Sequence, residues 1–161
     1  MKITVLAVGK IREQFFLDAL KEYSKRLSGY CSLTVEEVTD EPVPENASCA
    51  MLERILRKEG VKLEKVLDRY PSAYVIALAI DGRTFDSVSF SSFLSDLQVK
   101  GSSHLIFVIG GSIGLSGAIL ERAHTRISFS KMTFPHQLMR VILLEQIYRA
   151  MRIAHGQPYH K

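Results

Sequence analysis

The sequence predicts an α/β domain built on a mostly parallel sheet, and three observations carry that expectation. Short runs rich in Val, Ile and Leu alternate along the 161 residues with stretches whose apolar positions recur at helical spacing. Two of the runs, residues 74–80 and 105–109, are almost continuously apolar, as strands covered on both faces tend to be. Helix-length segments, rather than two-residue turns, separate the strands, which is the pattern of a parallel sheet with crossover helices.

Taken in order, residues 2–8 read as a first strand, ended by Gly9. A helix follows from about Arg12, with Phe16, Leu20, Tyr23 and Leu27 spaced for one face, and Gly29 breaks it. Residues 32–38 are a second strand, and Pro42 and Pro44 hold the next stretch in a loop. Ser48 caps a helix running to about Asp68, before Pro71 excludes further helix. The third strand, 74–80, is expected to end at a turn on Asp81 and Gly82. A helix over 89–98, a strand over 105–109, a short helix near 116–123 and a brief strand at 126–129 come next. Pro135 suits the first turn of a long helix reaching about Ile153, with Leu138, Val141, Ile142, Tyr148 and Met151 as its apolar stripe. Gly156 and Pro158 end that helix. No repeat, linker or low-complexity stretch interrupts the chain, so residues 1–161 are expected to form one domain.

Composition excludes several classes. Hydrophobic residues make up 47% and charged residues 24%, as in an ordinary globular protein and unlike a disordered chain. No apolar run approaches the roughly 18 residues of a membrane span. Gly9 and Lys10 interrupt residues 1–8 before a signal peptide could be completed, so the protein is expected in the cytoplasm. Cys31 and Cys49 form neither a disulfide framework nor a metal pattern, and no bound metal is expected. The net charge of +4 is unevenly spread: residues 122–161 hold seven Lys or Arg against Glu145 alone, with four of the five histidines. A polyanionic partner such as RNA would suit this asymmetry, and so would a merely solvated basic face.

Three segments carry candidate chemistry. Gly110, Gly111 and Gly114 follow the apolar fourth strand, where backbone N–H groups can approach a ligand at the sheet's carboxyl end. The spacing is neither a P-loop nor a dinucleotide fingerprint, and a plain strand-to-helix turn would use the same glycines. Ser128 to His136 follows the last strand with hydroxyls, aromatics and Lys131 close together, a loop able to enclose an adenine. Finally Glu145 and Arg149 sit four apart on the long helix, ahead of Tyr159, His160 and Lys161, groups suited to stacking, proton exchange and phosphate contact. An ordinary surface ion pair and an unpacked tail would look the same.

Set in order, the opening Met-Lys-Ile-Thr-Val-Leu-Ala-Val-Gly-Lys, the Val-Ile-Gly-Gly-Ser-x-Gly loop, Ser-Phe-Ser-Lys-Met-Thr-Phe-Pro-His-Gln and the terminal Pro-Tyr-His-Lys resemble the SPOUT superfamily of knotted methyltransferases. Within it, they are similar to the bacterial enzymes acting on large-subunit ribosomal RNA. The resemblance spans the whole chain and implies a C-terminal trefoil knot, a homodimer, S-adenosylmethionine as cofactor, and methylation at N3 of a pseudouridine in 23S ribosomal RNA. The modest basic surface of so small a domain is too little to grip long free RNA, so the assembled ribosome is the expected substrate. It places cofactor contacts on Leu78, Gly110, Phe129, Ser130, Lys131, Met132, Thr133 and Phe134. It implies catalytic or RNA-facing roles for Glu145, Arg149, Tyr159, His160 and Lys161, with His136 as a second candidate base. Ile113, where relatives often carry a polar residue, and residues 154–157 depart from the pattern. A SPOUT enzyme for another RNA, or an RNA-binding module without catalysis, are the competing expectations.

Overall fold

The computed structural model describes residues 1–159. Five strands, β1 (Lys2–Val8), β2 (Ser32–Val38), β3 (Tyr74–Thr84), β4 (His104–Ile109) and β5 (Thr125–Ser128), form one sheet in the order β2-β1-β4-β3-β5. All four pairings are parallel. Helices α1 (Gln14–Leu27), α2 (Cys49–Leu67), α3 (Ser87–Val99) and α4 (Gly117–Arg122) make the crossovers, and α5 (His136–Ala154) follows the last strand.

The strand alternation sorts the core into two layers. Ile3, Val5 and Ala7 of β1, with Leu105 and Phe107 of β4, face α1, α3 and α5 through Leu27, Leu94, Leu143 and Ile147. Leu6, Val8, Ile106 and Val108 face α2 and α4 through Leu63, Leu67 and Ile119. Both faces of the central strands are therefore buried, which is why their sequences lack polar alternation. Local chemistry sets the helix starts. Ser48 and Ser116 accept the backbone N–H groups of Met51 and Ile119, and Asp86 with Ser89 closes a capping box.

Three details differ from the sequence reading. The third strand does not end at Asp81: it bulges and resumes, so that both Leu78 and Arg83 pair with Ile127. A Cβ on Gly82 would stand 2.6 Å from the carbonyl carbon of Ile127, so the glycine is needed for this close backbone approach rather than for a chain reversal. The stripe of α5 also splits. Tyr148 and Met151 are buried against this chain's own core, while Leu138, Val141 and Ile142 are only half-buried. Pro135 lies one residue before the helix, in extended backbone (ψ 132°).

Candidate active site

A parallel sheet presents its binding crevice at the carboxyl ends of the strands. Here that edge holds a cavity of about 330 Å³, bounded by Leu78–Ile80 in the bulged part of β3, Ile109–Gly114 at and beyond the end of β4, Ile127–Ser130 and Met132–Phe134, and His136 with Met139 on α5. The β3 bulge turns Ala79 and Ile80 into a wall.

The glycine loop is tighter than its sequence suggests. A Cβ on Gly110 would lie 2.3 Å from the Gly114 carbonyl oxygen. Gly111 and Gly114 bridge each other, Gly114 N donating to Gly111 O at 3.2 Å, and Gly114 has φ +89°. These glycines thus serve the turn itself, and the turn carries its backbone to the cavity edge. On the opposite wall, Ser128 Oγ donates to Ser130 O at 3.0 Å and Met132 N to Ser130 Oγ at 2.9 Å. Phe129 is anchored edge-on to Phe90 of the core at 6.2 Å.

Of the expected cofactor residues, Leu78, Gly110, Phe129, Ser130, Met132, Thr133 and Phe134 line this one cavity. Lys131 does not: it is exposed and outside the wall. Ile80 and Met139 were missed. The Asp81–Gly82 turn signal hid the first, and Met139 reads as one more apolar helix residue.

His136 lines the same cavity, its Nε2 3.5 Å from where a Cβ on Gly9 would stand. Burial, then the charge of Arg140, holds its pKa below the ordinary histidine value, against the opposing pull of Asp40 and Glu13. The imidazole is therefore biased towards its neutral, proton-accepting form.

The other expected catalytic residues gather elsewhere. Arg149 pairs with Glu145 at 2.6 Å and lies over the Tyr159 ring at 4.7 Å, and Tyr159 Oη donates to Glu145 Oε1 at 3.4 Å. Burial first, then the Glu145 carboxylate, raises the Tyr159 pKa, so the phenol stays protonated. None of the three lines the cavity. From His136 to Arg149 is about 20 Å along the α5 axis at 1.5 Å per residue. His160 and Lys161 lie outside the described residues. Among the described residues there is no cluster of three potential metal ligands, and no helix is long and apolar enough to cross a membrane.

A family model described as "Predicted SPOUT methyltransferase" matches residues 1–160. Proteins named "Ribosomal RNA large subunit methyltransferase H" from Bifidobacterium adolescentis and Clostridium tetani are 53% and 52% identical, over the full length of both chains in each case. Among solved structures, a probable methyltransferase from Bordetella pertussis superposes with a TM-score of 0.55 at 13% identity, over 93% of this chain and 96% of its own. A probable methylase family protein from Haemophilus influenzae gives 0.54 at 10% identity, over 99% and 70%. At such identities these two likenesses speak to the fold alone.

Proposed function

The chain belongs to the SPOUT methyltransferase family, and on that premise we propose that it is a ribosomal RNA methyltransferase that takes S-adenosylmethionine as donor and methylates N3 of a pseudouridine in 23S ribosomal RNA. The observation that carries the reading is the cavity at the carboxyl edge, bracketed by the 110–114 and 128–134 loops. At about 330 Å³ it falls within the roughly 300–1,000 Å³ of small-molecule clefts. Apolar side chains (Leu78, Ile127, Phe134, Met139) and two stretches of turn backbone make up the wall. That chemistry suits a purine, whose faces are apolar and whose edges need hydrogen bonds, so the residues present fit the cofactor.

S-adenosylmethionine, once bound, supplies a methyl carbon activated by its sulfonium. The chain's contribution is to hold donor and nucleophile in line, with Leu78, Gly110, Phe129, Ser130, Met132, Thr133 and Phe134 on the donor side. Lys131, exposed at the rim, belongs with the RNA phosphates rather than with the donor. The imide N3 of pseudouridine must lose its proton to become a good nucleophile. His160 is the proposed acceptor, and His136, half-buried and biased to neutrality, is the second candidate. Arg149 and Lys161 are assigned to phosphate or uracil carbonyls, and Tyr159 to stacking on the base.

The working unit is a homodimer in the cytoplasm. Its support is the separation of about 20 Å along α5 between the cavity's histidine and Arg149, which a second copy would close by laying its tail against the first copy's cavity. The half-buried Leu138, Val141 and Ile142 and the exposed Ile80 and Met132 leave an apolar surface for such a contact. Mass spectrometry of 23S ribosomal RNA tests the reading, after incubation of the protein and S-adenosylmethionine with ribosomes from a strain lacking it. One methylated pseudouridine is expected, formed faster on ribosomes than on deproteinised RNA, and no methylation on either would overturn the proposal. Deletion of residues 159–161 should abolish methylation yet spare donor binding. Mixed with Gly110→Arg chains, the deleted chains should regain activity if each site is shared between two copies.

A further inference from the structure

Arg140 is the most deeply buried charge among the described residues, with no exposure at all, and it lies on the helix that closes the cavity. Its Nη1 donates to Glu37 Oε1 at 2.6 Å, and its Nη2 donates to the carbonyls of Val8 and Gly9 at 2.8 and 2.7 Å. Those carbonyls belong to the corner where β1 ends, turned by a Gly9 φ of +84°. Glu37 Oε1 also accepts from Ile11 N at 3.3 Å, so one carboxylate serves both the guanidinium and the chain leaving that corner.

The rest of the buried α5 face is apolar, with Leu143, Leu144 and Ile147 fully enclosed. An aliphatic residue at position 140 would avoid the cost of desolvating a guanidinium, so the burial of a charge here is poorly accounted for by stability alone. What the arginine does is geometric. The 128–134 loop carries local hydrogen bonds through Ser130, and it is held at one end by the pairing of β5 with β3. Its other end runs through Pro135 into the first turn of α5. Arg140, one turn beyond His136 on the same helix face, ties that turn to the carboxyl end of β1.

We propose that Arg140 is a positioning residue for the methyl donor: its three bonds to Glu37, Val8 and Gly9 fix where α5 begins, and thereby set the 128–134 wall and His136 at their spacing from the glycine loop. The inference rests on the reading of the cavity as the S-adenosylmethionine site. Calorimetric titration with S-adenosylmethionine tests it, on the full chain and well below each variant's melting temperature. Arg140→Lys cannot reach both carbonyls and the carboxylate together, and should weaken donor binding about tenfold, the equivalent of one charge-assisted hydrogen bond. On ribosomes its KM for the donor should rise by the same factor, with kcat at saturation within about twofold of the parent. Glu37→Gln, which keeps the oxygen, should bind nearly as the parent does. Leu67→Ala, on the opposite face of the sheet, provides the destabilised control and should bind normally. Should Arg140→Lys fail to fold, Glu37→Ala carries the same test, with about tenfold weaker binding expected from the loss of its charge-assisted bond to Arg140. Parent-like donor affinity in Arg140→Lys and in Glu37→Ala, or an equal loss in Leu67→Ala, overturns the inference. A parent chain that binds no S-adenosylmethionine overturns the reading of the cavity instead.

Discussion

Replacing Gly110 by alanine adds one methyl group at the edge of the cavity, and the geometry fixes where it goes. The new Cβ would stand 2.3 Å from Gly114 O, 2.5 Å from Gly114 C and 3.0 Å from Gly114 Cα, where ordinary contact begins at 3.4 Å. All three neighbours are backbone, so no side chain can swing aside and the turn must open by about 1 Å. The bond from Gly114 N to Gly111 O, already 3.2 Å, is the first to be lost. Overpacking of this kind costs roughly 1–3 kcal/mol, or about 2–12 °C in melting temperature for a chain of this size. Displacing a binding wall by about 1 Å can cost up to about 100-fold in turnover, and at least about tenfold in donor affinity is expected here. The larger Gly110→Arg change acts through the same opening of the turn, because its Cβ heads for Gly114, and some loss of fold stability accompanies the loss of binding. Calorimetric titration with S-adenosylmethionine, paired with scanning calorimetry, reads both effects. Gly117→Ala is the control: nothing lies within 4 Å of its Cβ, so neither melting temperature nor donor affinity should fall. If Gly110→Ala binds the donor within twofold of the parent and melts where the parent does, the turn is not under the constraint argued for it.

Two further outcomes follow from buried titratable groups. Glu59 is 3% exposed, its Oε2 has no partner, and its Oε1 accepts from Glu41 N at 2.9 Å. Burial first, with Asp40 adding to it, raises its pKa above the ordinary 4.5, so its contribution to stability is present below that value and is lost as pH rises through the raised one. Glu59→Gln keeps the acceptor for Glu41 and should melt higher than the parent at pH 7, by an amount on the order of 1 kcal/mol, and alike near pH 4; a lower melting temperature at pH 7 would contradict this. His136 and His104 run the other way: burial lowers both below the ordinary 6.5, so the stability they contribute is present above 6.5 and lost as pH falls through their depressed values. The double variant His104→Gln, His136→Gln should therefore lose less melting temperature than the parent between pH 7 and pH 5, and an unchanged slope would remove both histidines from the account.

Much of this molecule was legible in the chain because the relevant forces act over a few residues. Val- and Ile-rich runs such as 105–109 declare buried strands, Ser48 and Ser116 declare helix starts, and the glycines at 110–114 declare a backbone edge. The family motifs at 107–114 and 129–137 lie on the two loops that face each other across the cavity. What stayed hidden depends on partners far away in sequence. The order β2-β1-β4-β3-β5 pairs segments that no local propensity connects. Asp81 and Gly82 carry a turn signal, yet the close approach of the β5 backbone at Ile127 makes them part of a bulge within β3. Arg140 reads as one more cation on a basic helix, and only the folded chain brings it to Glu37, Val8 and Gly9, more than a hundred residues away. Propensity, capping and turn chemistry are properties of neighbours along the chain, and the sequence determined them. The burial of Arg140 and Glu59 and the bulge of β3 are decided by what packs against them, and tertiary structure alone supplies that.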